Sequence, residues 1–423
     1  MSFRSKRPTL AVAGVTIAWL TSMALTASGH SAPASTSSAL ARPGRIADAS
    51  AASLPLRTAV FAQAASQAAG LAAPQMSDQV FKNVQLLKGI PVDEFMGTMG
   101  LFSAALSVCC AECHTGAGTS NPKWEDDPPR KRTARRMMQM VANINRDNFN
   151  GRQVVTCWTC HRGSQAPLAT PPLDKMYGEP VIEPPDIIAR ATSGEPTVDE
   201  IFDKYIQALG GAARVNAVTS YTAKGTSIPF GDVGKGFPTE IYAKAPNQLM
   251  TVVHQLEGDM ARSFDGRQGY FLLPLTVVEE YPWTGPMNEG AKLDAEMAFP
   301  AHIKDYMTNW RVGFSTTLNG HDVYVVQGTV GTGASALIAT FYFDKQSGLL
   351  SRMVRYAPGA MGRVPTQIDY SEYRPVGGVM FPYHWSYAWL SGRDEVTITD
   401  VQPNATIDPA KFGKPVPVSR PLR

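Results

Sequence analysis

Residues 107–116 read SVCCAECHTG, and residues 154–163 read VVTCWTCHRG. Each stretch contains two cysteines that are separated by two residues and followed directly by a histidine. The residues are Cys110, Cys113 and His114 in the first motif, and Cys157, Cys160 and His161 in the second. The chain has 5 cysteines among 423 residues, so the two motifs contain all of them except Cys109. The two motifs therefore decide how this part of the chain folds and what it binds.

A C-x-x-C-H motif is the attachment site of c-type haem. The two thiols add to the vinyl groups of the porphyrin, and the adjacent histidine is held under the ring, where its imidazole reaches the iron. Two other interpretations stay open. One is a four-cysteine zinc site, which leaves two histidines unexplained and usually has a closer spacing. The other is a set of redox or structural disulfides.

Three helices are predicted around the motifs. Residues 77–89, SDQVFKNVQLLKG, have a serine cap at Ser77 and a closing glycine at Gly89. Pro91 opens a second helix, and residues 130–149 form a third. The predicted apolar faces consist of Phe95, Met99, Phe102 and Leu106 in the second helix, and of Ala134, Met137, Val141 and Ile144 in the third.

Methionine is the available sixth ligand for each iron. No histidine lies between His30 and His114, or between His114 and His161. A methionine on an apolar helix face is more often core filler than a ligand, but each methionine-bearing helix here leads into its own motif. The candidates are Met96 and Met99 before the first motif, and Met137, Met138 and Met140 before the second.

Residues 79–163 resemble the first half of the cytochrome c subunit of photosynthetic reaction centres. In that family a unit of methionine-bearing helix, loop and C-x-x-C-H recurs, and the methionine is the distal iron ligand. The resemblance implies that Met99 and Met137 are the iron ligands and leaves the other three methionines to packing. The four-haem members have two further C-x-x-C-H motifs and a ligating histidine that this sequence does not contain. The resemblance therefore implies a shortened relative with two covalently bound c-type haems.

The expected function is electron transfer rather than enzymatic catalysis, because both axial positions of each iron would be filled. Histidine and methionine ligation raises the reduction potential relative to two histidines. The expected partners are redox proteins, such as a membrane-bound reaction centre or a respiratory complex. A peroxidase-like haem enzyme is the catalytic alternative, and it requires an open iron position.

The amino terminus has the pattern of an export signal. The basic residues of MSFRSKR precede an uncharged apolar run at residues 9–27. Residues 1–32 are therefore predicted to be a signal peptide of a periplasmic protein, with an uncleaved membrane anchor as the alternative. Residues 33–75 are rich in alanine and serine and are predicted to be a flexible tether. The net charge of +3, with 18% charged residues, argues against a nucleic-acid partner.

The pattern changes to strands after a proline-rich linker at residues 166–196. A capping box at Thr197 and Glu200 begins a helix that has Ile201, Tyr205 and Leu209 on one face. Alternating runs such as TEIYAKA, DVYVVQGT and VTITDV follow, with turn residues between them. These features predict one curved antiparallel sheet with a few helices, including one around AFPAHIKDYMTN, residues 298–309.

Residues 197–415 resemble the β half-barrel of periplasmic lipoprotein carriers, in which the concave sheet holds acyl chains. The resemblance implies a lipid ligand, and it makes a lipid or lipoprotein binding module with accessory haems the alternative function. Four histidines of this region have no metal-ligand spacing and are predicted to be structural or surface residues: His254, His302, His321 and His384.

The predicted fold class is a multidomain protein. A small all-α multihaem cytochrome c domain at residues 76–165 precedes the linker. An α+β domain with a curved antiparallel β half-barrel follows at residues 197–415, and residues 416–423 form a carboxy-terminal tail.

Overall fold

The computed structural model describes residues 70–417, except for residues 120, 168, 172, 179–185, 233, 275 and 334–335. The predicted export signal and most of the predicted tether lie outside these residues, as does most of the carboxy-terminal tail. Over the described ranges, no helix is both long enough and apolar enough to cross a lipid bilayer.

The described chain begins with a helical part, and further helices lie before and between the strands of its second part. The helices are α1 Ser77–Val80, α2 Val92–Leu106, α3 Pro129–Phe149, α4 Cys157–His161, α5 Leu173–Met176, α6 Val198–Ala208, α7 Ala212–Ala217, α8 Gly285–Met297 and α9 Ile303–Tyr306. Single 3-10 turns lie at Cys110–Glu112, Pro300–His302 and Pro409–Phe412.

The strands form the second part. They are β1 Ser220–Pro229, β2 Phe237–Lys244, β3 Gln248–His254, β4 Asp259–Phe264, β5 Gly269–Leu272, β6 Glu280–Pro282, β7 Thr308–Val312, β8 Thr316–Leu318, β9 His321–Val330, β10 Leu337–Asp344, β11 Leu350–Ala357, β12 Val364–Val376, β13 Val379–Trp389 and β14 Gly392–Pro403.

The first predicted helix is wrong in length. Helix α1 ends at Val80 after four residues, and the chain then turns back. Ser77 does not cap a helix, because its buried hydroxyl donates to the carbonyl of Leu87, while its N–H donates to the carbonyl of Ile90. Residues 81–89 are thus held by contacts with their own return segment rather than by helical hydrogen bonds.

The second and third predicted helices are confirmed. Helix α2 begins after Pro91 and ends at Ser107, which has a left-handed backbone with φ of 53°. Helix α3 covers the whole predicted segment and begins with Pro129 at its first position. Its buried residues are Met138, Val141 and Asn145, so the packed face of α3 is rotated relative to the predicted one.

The strands form a single antiparallel sheet of 14 strands. The order runs β6-β5-β4-β3-β2-β1-β14-β13-β12-β11-β10-β9, and both β7 and β8 pair with β9. Consecutive strands therefore pair with each other, except β6 with β7 and β7 with β8. Two pairings join strands that are not consecutive, β1 with β14 and β7 with β9. The predicted large antiparallel sheet is confirmed.

The sheet is strongly curved, because a salt bridge joins two strands that are far apart in the strand order. Strands four positions apart in a flat sheet would lie about 19 Å from each other. Arg262 in β4 and Asp394 in β14 are four positions apart, and their side chains are joined by a hydrogen bond of 3.0 Å. Helix α8 lies in the concavity, since it contacts β3, β4 and β5 on one side and β10 and β11 on the other.

Helix α6 closes the concave side at the other end of the sheet. The predicted capping box is present, because Thr197 Oγ1 accepts the N–H of Glu200 and the Glu200 carboxylate accepts the N–H of Thr197. The helix buries Phe202 against Phe343 of β10, with ring centroids 5.4 Å apart. The main core cluster lies between α6 and β9–β13.

Helix α8 was not predicted, although it is the longest helix among the described residues of the β-sheet region. Gly285, Pro286 and Gly290 weaken the helical pattern of this segment. Its burial against the sheet stabilises the helix, because Ala291, Leu293 and Ala295 are at most 3% exposed. The helix predicted around residues 298–309 is only a 3-10 turn followed by the short α9.

The last part of the proline-rich linker pairs with the sheet. Arg190 forms a β-bridge with Gly313, and the N–H of Ile188 donates to Gln327 of β9. The linker is therefore attached to the sheet at its carboxy-terminal end.

Candidate functional site

The first C-x-x-C-H motif forms a helical turn. Cys110 begins the 3-10 turn, and the N–H of His114 donates to the carbonyl of Cys110 at 2.9 Å. One turn places residues three apart on the same side, so the thiols of Cys110 and Cys113 project from the same side of the turn. Burial raises the pKa of the Cys113 thiol, an effect that the nearby Arg130 partly offsets.

His114 is half-buried beside an indole ring. The edge of its ring packs against Trp124, with ring centroids 5.3 Å apart. Its Nδ1 atom is buried and has no hydrogen-bond partner among the described residues. Burial, followed by the charge of Lys131, lowers the pKa of His114 and favours the neutral imidazole. A neutral imidazole with an unpaired nitrogen is the form that binds a metal.

The second motif forms helix α4. Thr156 and Thr159 make a reciprocal capping box that starts the turn, and His161 ends it. The Nδ1 atom of His161 lies 3.0 Å from the carbonyl oxygen of Ser164. A histidine that donates Nδ1–H to a carbonyl presents its Nε2 to a metal in a fixed orientation. Burial raises the pKa of the neighbouring Cys157 thiol.

Two helices position the second motif. The N–H of Gly163 donates to the carbonyl of Ala105 at the end of α2. Asn145 of α3 is buried, and its side-chain oxygen accepts the N–H groups of Val154 and Val155. The segment before Cys157 is therefore hydrogen-bonded to α3, and the segment after His161 is hydrogen-bonded to α2.

The methionines differ in their surroundings. Met99 packs against the buried cluster of Leu87, Ile90 and Met138. Met138 is 7% exposed, whereas its neighbour Met137 is 36% exposed. The structure thus agrees with a packing role for Met138 and leaves the side chain of Met137 outside the packed cluster. Met140 is 42% exposed and does not have the packing role that the resemblance implied for it.

A loop of the β-sheet region covers the same cluster. Residues 358–363 join β11 to β12, and within this loop Ala360 and Met361 pack against the cluster that contains Met138. Gln153 donates to the carbonyl oxygens of Gly359 and Ala360, directly before the second motif. Sequence analysis missed this contribution, because nothing in the local pattern connects residue 361 with residue 138.

The residues fit a covalently bound haem better than the other two possibilities. All five cysteines are free thiols. The four motif cysteines do not converge, since the described residues contain no group of three or more potential metal ligands of the His, Cys, Asp and Glu types. Each motif instead presents its own thiol pair and its own histidine, which is the donor set of c-type haem.

Cys109 lies outside both motifs, and the sequence predicts a small buried residue there, but the structure leaves it exposed. It immediately precedes the 3-10 turn of the first motif. The left-handed Ser107 redirects the chain here, so Cys109 does not reach the interior.

The four histidines of the β-sheet region each lie near a carboxylate group. His254 pairs with Asp259 at 3.0 Å, and His384 lies 3.5 Å from Glu395. His321 and His302 are exposed and lie near single carboxylates. Their contacts are those of surface and structural residues.

The concave side of the sheet contains a second candidate site, a cavity of about 200 Å³. Most of its lining is apolar and aromatic, including Leu209, Tyr221 and Phe381. Arg262 and Asp394 line it at another point. The cavity therefore combines an apolar wall with a small number of polar groups, as ligand sites do.

Comparison with known proteins gives the class of the first site. Residues 45–174 match the model of the family described as photosynthetic reaction centre cytochrome C subunit. The subunit of Roseobacter denitrificans is 35% identical over 100 residues, which are 22% of this chain and 27% of that protein. The subunit of Thermochromatium tepidum is 36% identical over 95 residues, which are 22% of each chain.

The chain spans about a quarter of the length of the curated relatives it matches. The resemblance of the motif-bearing segment to this family is confirmed. The family implies covalently bound c-type haem.

Solved structures are similar to about half of the chain. An outer membrane lipoprotein-sorting protein domain from Vibrio parahaemolyticus has 10% identity and a TM-score of 0.36, over 50% of this chain and 94% of that chain. A LolA superfamily protein from Nitrosomonas europaea has 13% identity and a TM-score of 0.35, over 52% and 99%.

Proposed function

We propose that this chain is a periplasmic electron-transfer protein with two covalently bound c-type haems. The observation that carries the proposal is the pair of C-x-x-C-H turns, each with two free thiols and a histidine directly after the second thiol. The family of the matching segment supports the choice of cofactor. An exported, Ala/Ser-tethered haem domain at residues 76–165, joined by a linker to the β-sheet domain, is part of the same proposal.

The proposed roles of the residues follow from their positions. Cys110, Cys113, Cys157 and Cys160 form the thioether bonds, and His114 and His161 are the proximal iron ligands. Met99 and Met137 are the proposed distal ligands. A haem held by these residues would supply one-electron redox chemistry. The carbonyl of Ser164 keeps His161 in one tautomer and orientation, and burial of His114 keeps its ring neutral.

Partner proteins complete the proposed function. The chain would exchange electrons with redox proteins at the membrane, such as a reaction centre or a respiratory complex. The segment Arg130–Arg136 in α3 contains five basic residues and faces largely outward. It offers a positive surface, although salt bridges already pair Arg130 with Glu112 and Arg135 with Asp127.

The haem content can be tested directly. The full chain is expressed together with a cytochrome c maturation system, and haem is detected on a denaturing gel and by intact mass. We expect a mass gain of two haems. The double variant Cys110→Ala/Cys113→Ala and the double variant Cys157→Ala/Cys160→Ala are each expected to lose one haem. Cys109→Ser is the matched control and should keep both, and a wild-type gain other than two haems would overturn the proposal.

The cavity in the sheet favours a second function, the binding of an apolar ligand. Its aromatic and aliphatic wall is buried inside the curved sheet. Lipid extraction of the purified protein, followed by mass spectrometry, identifies any co-purified molecule. A ligand recovered in equimolar amount would support this function.

A further inference from the structure

Three charged residues line the polar end of the cavity, Arg262, Asp294 and Asp394, and Arg355 pairs with Asp294 from outside the lining. Arg262 Nη2 donates to Asp394 Oδ2 at 3.0 Å, and Asp394 is 4% exposed. Arg355 is 3% exposed and binds both carboxylate oxygens of Asp294, at 3.0 and 2.9 Å. Tyr387 connects the pairs, because its hydroxyl accepts from Arg355 and its ring lies 4.1 Å from the Arg262 guanidinium carbon.

This end of the cavity is therefore electrically balanced. Each guanidinium faces one carboxylate, so no excess positive charge is left for a phosphate group. Burying an unpaired charge is costly, and a negatively charged head group would have to displace one of the carboxylates. The charge arrangement favours an uncharged polar head over an anionic one.

Two hydroxyls that line the cavity lack a hydrogen-bond partner among the described residues, Ser227 Oγ in β1 and Ser263 Oγ in β4. Ser227 in β1 lines the cavity and is 0% exposed, and its Oγ has no hydrogen-bond partner among the described residues. It faces Val396 in the pairing of β1 with β14, and Asp394 lies two residues further along β14. An unsatisfied buried hydroxyl is costly, and a ligand oxygen in the cavity would satisfy it.

The volume favours a single ring. A cavity of about 150 Å³ is known to hold one benzene molecule, and this cavity has about 200 Å³. The cavity is partly open, so a six-membered ring with small substituents fits this volume while an apolar tail extends outside it. The surrounding Trp283, Trp385 and Tyr370 provide aromatic faces for such a ring.

Two aromatic residues, Tyr387 and Trp389, lie between the cavity and helix α2. The rings of Tyr387 and Trp389 have centroids 6.0 Å apart, and Trp389 Nε1 donates to Ser391 Oγ at 3.1 Å. Leu390 and Ser391 form the turn between β13 and β14, and this turn contacts Gly100 of α2. A Cβ atom on Gly100 would lie 3.2 Å from Leu390 Cβ. Gly100 directly follows Met99, a proposed iron ligand.

From these observations we infer that the cavity binds a quinone and exchanges electrons between it and the proposed haems, with Tyr387 and Trp389 on the route. A quinone has an uncharged ring, carbonyl oxygens that accept hydrogen bonds from Ser227 and Arg262, and an apolar tail. The redox part of this inference rests on the proposed function.

The two electrons of one quinol match the two proposed haems, each of which accepts one electron. A quinol that is oxidised in the cavity loses two O–H bonds and becomes the quinone. Its two protons pass to water, and its two electrons go singly to the two ferric haems, which become ferrous.

Binding is tested first, by a measurement that does not need haem. Decylubiquinone is titrated into the full chain while tryptophan fluorescence is followed. We expect saturable quenching, and Ser227→Ala should raise the Kd about tenfold because one hydrogen bond to the ring is lost. The same variant should not lower the Tm, since the deleted hydroxyl is unpartnered. Thr226→Ala on the opposite face of β1 is the matched control and should leave the Kd unchanged.

Electron transfer is tested on the haem-loaded protein. Decylubiquinol is added, and haem reduction is followed by absorbance. Trp389→Leu should slow reduction at least tenfold without changing the Kd, because Trp389 does not line the cavity. Trp389→Phe should restore most of the rate, and Phe230→Leu, at a side chain that is 77% exposed, serves as the control.

The outcomes separate this inference from the proposed function. A protein that carries two haems but shows no saturable quinone binding, or whose cavity holds a phospholipid that quinone does not displace, would overturn the inference alone. Quinone binding to a chain that never acquires haem would refute the proposed function and the electron route while supporting the binding site. Equal reduction rates in the wild type and Trp389→Leu would exclude the aromatic route.

Discussion

Met137 and Met138 are adjacent in α3 but meet different surroundings. The side chain of Met138 is buried together with Leu87 and Ile90, and it packs against Met99. The side chain of Met137 is 36% exposed and lies outside this cluster. Adjacent helix positions point about 100° apart, so only one of the two methionines can face the packed cluster.

This difference predicts opposite effects of two substitutions. Met137→Ala should leave the free energy of unfolding of the haem-free chain within about 0.5 kcal/mol of wild type. In the haem-loaded protein it should lower the potential of one haem and allow carbon monoxide to bind, as measured by redox titration and absorbance. Met138→Ala should destabilise the chain by about 2–5 kcal/mol in denaturant unfolding. It should not allow carbon monoxide to bind the iron.

Met140→Ala is the control, because Met140 lies on the same helix and is 42% exposed. It should change neither stability nor potential. Carbon monoxide binding to the Met138→Ala or Met140→Ala variant alone would reassign the iron ligand.

Helix α2 is attached to the β-sheet region by a buried carboxylate in its first turn. Asp93 is 3% exposed, and it accepts hydrogen bonds from the N–H and the hydroxyl of Thr284, the residue before α8. Burial raises the pKa of Asp93 to about 6. Burial, together with the charge of Asp93, raises the pKa of the adjacent Glu94 to about 7.

These shifts predict that the chain becomes less stable as the pH rises through this range. A carboxyl group whose pKa is higher in the folded state binds more protons when folded than when unfolded. Its stabilising effect is complete below the unfolded pKa, near 4, and is lost as the pH rises through about 6 for Asp93 and about 7 for Glu94. Denaturant unfolding at pH 5 and pH 8 should differ by on the order of 1–3 kcal/mol from these groups.

Glu94→Gln separates this contribution from that of the other ionisable groups. The variant should show a smaller difference between pH 5 and pH 8, because its side chain does not ionise. A pH dependence identical to that of the wild type would show that Glu94 is not the source.

A loop contact joins the β-sheet region to the second motif. Gly362 has a φ of +142°, and a Cβ atom there would lie 2.9 Å from Thr156 Cγ2. Thr156 is the residue before α4. The loop therefore approaches the start of the motif as closely as a glycine allows.

Gly362→Ala should therefore disturb both regions at once. The backbone strain and the contact with Thr156 should destabilise the chain by about 1–3 kcal/mol, measured by thermal unfolding. We also expect incomplete loading of the second haem, measured by mass. Gly320→Ala is the control for backbone strain alone, since Gly320 has a φ of +82° but nothing within 4 Å of the added Cβ.

Full loading in Gly362→Ala would show that the loop does not support the motif. A loss of stability equal to that of Gly320→Ala would show that strain, rather than the contact, is responsible.

At the scale of the whole molecule, prediction succeeded where the signal was local. The capping box at Thr197 and the start of α2 after Pro91 depend on residues within one turn of each other. Prediction from the sequence failed where contacts between distant residues decide the structure. The segment after Val80 resembles a helix in sequence, but the chain folds back on itself, and α8 forms despite two glycines because the sheet covers it.

The sequence was sufficient to predict the donor atoms of the two motifs, because C-x-x-C-H is a local pattern and one helical turn brings its thiols to one side. It also determined the resemblance to the reaction centre cytochrome c subunits and the presence of an antiparallel sheet. The tertiary structure alone decided which methionine is buried, which loop covers the second motif and how Arg262 meets Asp394 within the cavity. These features join residues far apart in the chain, and local spacing carries no information about such contacts.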